Sequence, residues 1–406
     1  MTLGLSIARR PYVLNASDRL VSTVRGKTVS GAFDRYANKT IVYLAGDGPI
    51  AISYAGIAFV GRKPADEWLA EVLLGSPFRR WPDGSVPAFG FQRSPMRSIN
   101  SALWLLQKAI ERQPCLARGP FELTIAGWRF FRRGRIAPVC LTIEAVGGKA
   151  LRKGDLRFAP RYGTRGAFVG QHFDPVKIEQ ACDAHPQRER LSFDAEIGAE
   201  VLVATIRDVA KGCTSVGSDV MVVQIPAPIR RRVVVIRYFA DPSRPPALFG
   251  AGPAQVPAAF FPWVITPTFI RAPTIAAGDA GTLSSCGWEF EFRAVGLPAA
   301  AYADGLLFAE THLNRPSPPG WPKPTLPNGQ TRKQRLLSAG SVTPLAGLGT
   351  GGPTTGPPDL ELEEAAASGR VQEAGGGGAS VPAAGEHPIS MPTTLARHSR
   401  LRDELR

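Results

Sequence analysis

The chain has 406 residues, 44% hydrophobic and 20% charged, ordinary proportions for a protein with one large domain plus extras or with two domains. Its 48 Lys and Arg outweigh 34 Asp and Glu to give a net charge of +14, but the basic clusters are short and lack the interleaved aromatics of a stacking platform, so nucleic acid is not the expected partner. Five widely scattered cysteines without a C-x-x-C pair exclude a disulfide framework and a cysteine zinc site, and are expected as reduced, mostly buried thiols.

The N-terminal "MTLGLSIARRPYVL" has no charged region ahead of its apolar stretch, and no run of about 18 apolar residues occurs, so no membrane span is expected and the cytoplasm is the expected compartment. Apolar runs over 2–7 and 12–16, separated by "ARRP", predict a hairpin. A second hairpin follows in "NKTIVYLAGDGPIAISYAG", with strands over 41–44 and 50–54. "KPADEWLAEVLLG" then places Trp68, Leu69, Val72 and Leu73 at helical spacing. In "RSINSALWLLQKAIERQ" the stripe Ile99, Leu103, Leu106 and Ile110 predicts a second helix, with caps available from Ser98 to Asn100.

"FELTIAGWRF" and "APVCLTIEAVG" read as the arms of a hairpin whose tip carries Arg132, Arg133 and Arg135. A third long helix is expected in "DAEIGAEVLVATIRDVAKG", then the strands "SDVMVVQI" and "RRVVVIRYF". Blocks of strands and helices in this order predict an α+β protein with layered helices and antiparallel sheets. Residues 241–313 carry strand-like pieces among Pro and Gly and read as a β-rich accessory segment. From 314 to 406 the composition is Pro, Gly and Ala with too few large apolar residues to offset chain entropy, a disordered tail.

Within this order, "TLGLSIARRPYVLNASDRLVS" resembles the first hairpin of proteasome β-type subunits and their bacterial relatives, members of the N-terminal-nucleophile (Ntn) hydrolase superfamily. The resemblance covers roughly residues 2–240 and implies a four-layer α-β-β-α sandwich for 1–240. It makes Thr2 the nucleophile, Asp18 its acidic partner and Lys39 the lysine, while Gly56 after "IAISYAG" supplies the oxyanion N–H. In "GCTSVGSDVMVVQI", Thr214 or Ser215 takes the place of the family's serine near the nucleophile. A threonine hydroxyl needs a base, which a free α-amino group of pKa about 7.7–8 supplies once Met1 is removed. Lys39 would favour deprotonation and Asp18 would orient the lysine.

The chain departs from the family pattern in two places. "DVAKGCT" has Lys211 where the family has a second Asp, with Asp208 three residues early, and "RYGTRGAFVGQ" offers Thr164 and Gly166 but no serine turn. The same residues also have plain structural readings: Thr2 as an edge-strand residue, Asp18 and Lys39 as an ion pair, Gly56 as a turn glycine. His172, His185 and His312 have no ligand spacing, and no cofactor or metal is expected. The expected function is amide (peptide) bond hydrolysis through Thr2. The alternatives are an inactive proteasome-like scaffold and, third, a basic binding protein. Expected partners are further copies of the chain in a ring or other homo-oligomer, a peptide or protein substrate, and an unfoldase of unknown identity.

Overall fold

The computed structural model describes residues 2–310 except 26–27, 62, 79–88, 91–96, 160–161, 171–172, 230, 246–247, 250–255, 272, 278–281 and 297–306, all within the compact unit Met1–Pro344. The tail expected over 314–406 lies outside the described residues.

The chain opens with β1 (Gly4–Ala8), β2 (Tyr12–Asp18), the small hairpin β3 (Val21–Arg25) and β4 (Thr28–Asp34), and the hairpin β5 (Thr40–Ala45) and β6 (Gly48–Gly56). β7 (Phe59–Val60) and β8 (Lys63–Pro64) lead into α1 (Ala65–Leu74), and β9 (Phe89–Gly90) precedes α2 (Ile99–Glu111) and α3 (Pro114–Arg118). Then come β10 (Phe121–Phe130), β11 (Ile136–Val146), β12 (Lys149–Gly154), β13 (Leu156–Ala159) and β14 (Thr164–Val169). Next are α4 (Val176–Ala184), α5 (Ala195–Gly212), β15 (Val220–Pro226) and β16 (Val233–Phe239). The last strands are β17 (Leu248–Phe249), β18 (Val256–Phe261), β19 (Trp263–Ile265), β20 (Ile270–Arg271), β21 (Thr274–Ala277), β22 (Thr282–Ser285), β23 (Trp288–Val295) and β24 (Leu307–Glu310).

The helices begin and end where local chemistry requires. Ser98 caps α2 by accepting the Ser101 N–H at 3.2 Å, and Asp194 caps α5 by accepting the Glu196 N–H at 2.9 Å. Gly75 closes α1 at φ +77°, where its N–H reaches the Glu71 carbonyl at 2.8 Å.

Two eight-stranded sheets dominate this mixed α/β protein, in the orders β13-β14-β1-β2-β15-β16-β23-β22 and β12-β11-β10-β6-β5-β19-β20-β9. Strand alternation assigns their faces. Ile41, Tyr43, Ile50 and Ile52 pack with Trp68, Leu69, Leu103 and Leu106 of α1 and α2. Their neighbours Val42, Leu44 and Ala51 pack instead with Val13, Val223, Val234 and Ile236 of the other sheet. Leu3, Leu5, Leu14 and Val222 face Ile178, Ile197, Val201 and Leu202 of α4 and α5. Each fully buried side chain of this size contributes roughly 1.5–3 kcal/mol of transfer free energy.

The expectation of purely antiparallel sheets is corrected: β23 lies parallel to β16 and β19 parallel to β5. Both late strands return from excursions longer than a hairpin permits, which allows the parallel sense. Of the strands after residue 240, β19, β20, β22 and β23 thereby enter the two large sheets, while β17, β18, β21 and β24 form a separate four-stranded sheet. Trp263 is fully buried, stacks on Phe78 with centroids 4.4 Å apart and donates its indole N–H to Asp66 at 3.0 Å. The strands β3, β4, β12, β13 and β14 and the helix α4 carry no clear sequence periodicity and are additions to the expected order.

The Arg-rich hairpin tip forms as expected, a single tight turn over Arg132–Gly134 between β10 and β11. The thiols differ from expectation: only Cys182 is buried, Cys140 and Cys213 are half-buried, and Cys115 and Cys286 are exposed, all five unpaired with one another.

Candidate functional site

Asp18 ends β2 and Lys39 enters β5, so the two side chains come from different sheets. The sheets are bridged beside them by the Ser17 and Thr40 hydroxyls, 2.8 Å apart. Lys39 Nζ lies 3.0 Å from Asp18 Oδ2, both side chains have zero exposure, and the ammonium also donates to the Leu20 carbonyl. Burial pushes the Lys39 ammonium below its ordinary 10.5, while the Asp18 charge and hydrogen bond act against that shift.

Asp18 holds more than the lysine. Its Oδ1 accepts the Leu3 N–H at 2.9 Å, and its Oδ2 accepts the N–H groups of Leu20 and Gly217, each at 3.0 Å. One buried carboxylate therefore ties together the start of β1, the turn after β2 and the loop between α5 and β15.

Thr2 directly precedes Leu3 and is 6% exposed. Gly170, one residue past β14, packs against it: a Cβ there would lie 2.0 Å from the Thr2 carbonyl oxygen, and its φ is +111°. Glu122 of β10 accepts the Gly170 N–H at 2.8 Å. Gly56 ends β6 at φ +94° opposite Phe121, where a Cβ would lie 1.9 Å from the Pro120 carbonyl oxygen. Close approach of that strand is sufficient reason for glycine at position 56.

The loop after α5 places Thr214 and Ser215 differently. Ser215 is 2% exposed, its hydroxyl 3.1 Å from Cys213 Sγ, whereas Thr214 is exposed and lines an open cleft of about 530 Å3. Val216 and Gly217 continue this wall, and Leu20 joins it, so the cleft shares two residues with the Asp18 hydrogen-bond set. Gly31, Ala32, Arg35, Asp241 and Arg244 also line it. Arg244 bridges Asp219 at 2.6 Å and Asp241 at 2.7 Å.

Asp18, Lys39 and the 214–217 loop are thus brought together, with the chain at Leu3 attached. The residues at the two departures from the family pattern lie elsewhere. Asp208 and Lys211 are 52% and 80% exposed, and Asp208 is paired to Lys177 at 2.7 Å. Thr164 receives a hydrogen bond from Arg9, at the end of β1 remote from Thr2, and Gly166 pairs with Ile7. Gly170, held by Glu122, adjoins Thr2, whereas Thr164 and Gly166 do not. No residue-type signal marks Gly170, Leu20 or Gly217, because they contribute backbone groups or the absence of a side chain.

His185 lies 3.0 Å from Glu200 at the surface, and His172 and His312 lie outside the described residues. Among the described residues, no cluster of His, Cys, Asp and Glu is placed to hold a metal ion, and no helix is long and apolar enough to cross a membrane.

Neither a family model nor a curated protein matches the chain. Solved structures with a similar chain course include Anbu (ancestral beta-subunit) from Yersinia bercovieri, at 16% identity and TM-score 0.34, covering 55% of this chain and 80% of that one. An Anbu (Gly-1) mutant from Hyphomicrobium sp. strain MC1 is similar at 10% identity and TM-score 0.33, with the same coverage of 55% and 80%.

Proposed function

We propose that the chain is a proteasome-like threonine-type hydrolase of amide (peptide) bonds, built as a four-layer α-β-β-α sandwich and acting through Thr2 after removal of Met1. The observation that carries this reading is the attachment of the residue after Thr2 to the buried Asp18–Lys39 pair, with Leu3 N–H on Asp18 at 2.9 Å and Lys39 at 3.0 Å. In the proposed reaction the Thr2 amine takes the proton from Oγ as it attacks the substrate carbonyl, and the Gly56 N–H receives the developing oxyanion. The amine returns the proton to the leaving amine, and water then cleaves the threonyl ester. Lys39 supplies positive charge that favours the Thr2 alkoxide, and Asp18 keeps the lysine charged against the cost of its burial. Thr214 or Ser215 takes the place of the family's serine near the nucleophile. In this reading the protein works in the cytoplasm, assembles with copies of itself, and comprises the 1–240 domain, the 241–313 segment and a 314–406 tail.

Intact mass with N-terminal sequencing tests this first. A free Thr2 amine, with peptide cleavage that disappears in Thr2→Ala, is the expected result. Retained Met1 or a blocked terminus removes the base and overturns the mechanism.

A second reading, an inactive self-assembling scaffold, is favoured by one feature: the Lys39 ammonium is shared between Asp18 and the Leu20 carbonyl, a complete structural arrangement without any catalytic duty. Under that reading Thr2→Ala changes neither assembly nor any measurable turnover.

A further inference from the structure

We propose that the cleft beside the Asp18–Lys39 pair binds an extended acidic peptide segment, with Arg35 as the residue that receives its carboxylate. The proposal deepens the hydrolase reading by naming the substrate class, but its binding step does not require that reading.

Hydrogen-bonding capacity around the cleft supports a carboxylate. Asp219 and Asp241 are already committed to partners. Asp219 accepts the Tyr238 hydroxyl at 3.2 Å and the Asp241 N–H at 2.7 Å, and binds Arg244 at 2.6 Å. Asp241 accepts the Ser243 N–H at 3.0 Å and its hydroxyl at 2.7 Å, and binds Arg244 at 2.7 Å. Arg244 is therefore held by two carboxylates. Arg35, which lines the same cleft, is exposed and forms no ion pair with any of the described residues. A guanidinium presents donors in a planar fork that a carboxylate matches with two parallel bonds, and this one is available.

The walls favour a peptide over a compact anion. Gly31, Ala32, Gly217 and Ser218 carry small or no side chains, so backbone groups along the cleft can be reached by an extended chain, while Leu20 and Val216 add apolar surface. The cleft's volume of about 530 Å3 is several times that of one carboxylate group. Gly217 and Leu20 also donate their N–H groups to Asp18, so a ligand against these residues lies next to the carboxylate that holds Leu3.

The test uses the full-length Thr2→Ala protein, which cannot turn a ligand over by the proposed route, and fluorescein-labelled Ala-rich pentapeptides carrying a central Glu, Gln or Lys. Anisotropy titrations should show the Glu peptide binding about 3- to 10-fold more tightly than the Gln peptide, with the preference shrinking from 50 to 500 mM salt. Arg35→Gln should equalise the two, and Arg35→Glu should invert the order of the Glu and Lys peptides. Because Arg35 is exposed, both variants are expected to fold, which circular dichroism checks. Equal binding of all three peptides, or a Glu preference that survives Arg35→Gln, overturns the proposal. Free glutarate that competes as well as the Glu peptide overturns its peptide part. If the preference stands but protein with native Thr2 cleaves none of the peptides, the hydrolase reading fails and the binding site survives; cleavage without a Glu preference is the converse.

Discussion

Asp18 and Lys39 meet at 3.0 Å with both side chains wholly removed from solvent, although Asp18 ends a strand of one sheet and Lys39 directly precedes a strand of the other. An ion pair so placed contributes little compared with apolar residues of the same shape, because desolvation offsets the attraction, yet breaking it leaves a buried charge without compensation.

Lys39→Ala should therefore destabilise the protein by about 3–5 kcal/mol. Asp18→Ala should cost more than Lys39→Ala, since it also strips a partner from the N–H groups of Leu3, Leu20 and Gly217. Urea unfolding of the two variants measures the order, and an equal cost for both would mean that the backbone bonds to Asp18 contribute nothing.

Gly170→Ala should lower stability by about 1–3 kcal/mol, because its Cβ would need to occupy the place of the Thr2 carbonyl at a positive φ. Gly56→Ala meets the Pro120 carbonyl in the same way and should cost a similar amount. The two differ in what they disturb. Only Gly170→Ala should change the rate at which the Thr2 amine is labelled by an acylating reagent, once Met1 has been shown to be absent.

Thr40→Val leaves shape nearly unchanged but removes the hydroxyl between Ser17 at 2.8 Å and Ser53 at 2.9 Å. The network lies between the sheets, and Ser53 passes it on to Asn15, which reaches Ser6 at 2.9 Å. Two buried hydroxyls would lose a partner, a cost of about 1–3 kcal/mol. The midpoint of thermal unfolding reads it, and an unchanged midpoint would show that the network rearranges freely.

Tyr12 and Tyr238 should make the protein sensitive to alkali. Burial holds both phenols well above their ordinary value of 10.0, and they donate to the Leu191 carbonyl at 2.6 Å and to Asp219 at 3.2 Å. Above pH 10 the unfolded chain releases these protons while the folded chain keeps them, so stability is fully present below 10 and falls as pH rises. Each tyrosine contributes a slope of about 1.4 kcal/mol per pH unit. Lys39, with its value lowered, acts in the opposite sense just below 10.5. Comparing Tyr12→Phe with the native protein isolates one tyrosine: the difference in unfolding free energy should be constant below pH 10 and shrink above it. A difference independent of pH would mean that Tyr12 ionises alike in both states.

The candidate site was half legible. Thr2, Asp18 and Lys39 carry recognisable chemistry in a recognisable order, and the buried pair forms between the two that have charge. Gly170 and Glu122 carry no signal in the sequence, and the stretch around Thr164, which lacks the family's serine, lies at the far end of β1. A glycine that must touch a carbonyl and an acid that binds a backbone N–H become identifiable only when β1, β10 and β14 lie side by side.

The sequence by itself determined the local elements whose faces have strong periodicity: the helices α1, α2 and α5, the hairpins β1–β2, β5–β6 and β10–β11, and the strands β15 and β16. In each, the spacing of apolar residues matches the geometry of the element, and Ser98 and Asp194 mark helix starts by the same local chemistry. Only the tertiary structure decided that β12, with Lys149, Arg152 and Lys153 on it, is a sheet edge, that the weakly patterned α4 buries Ile178 and Cys182, and that β19 and β23 enter different sheets in the parallel sense. Periodicity states which face of an element is buried, whereas neighbour, register and direction follow from complementary packing between segments distant in sequence. The convergence of Asp18, Lys39, Leu3 and Gly217 depends on those long-range choices.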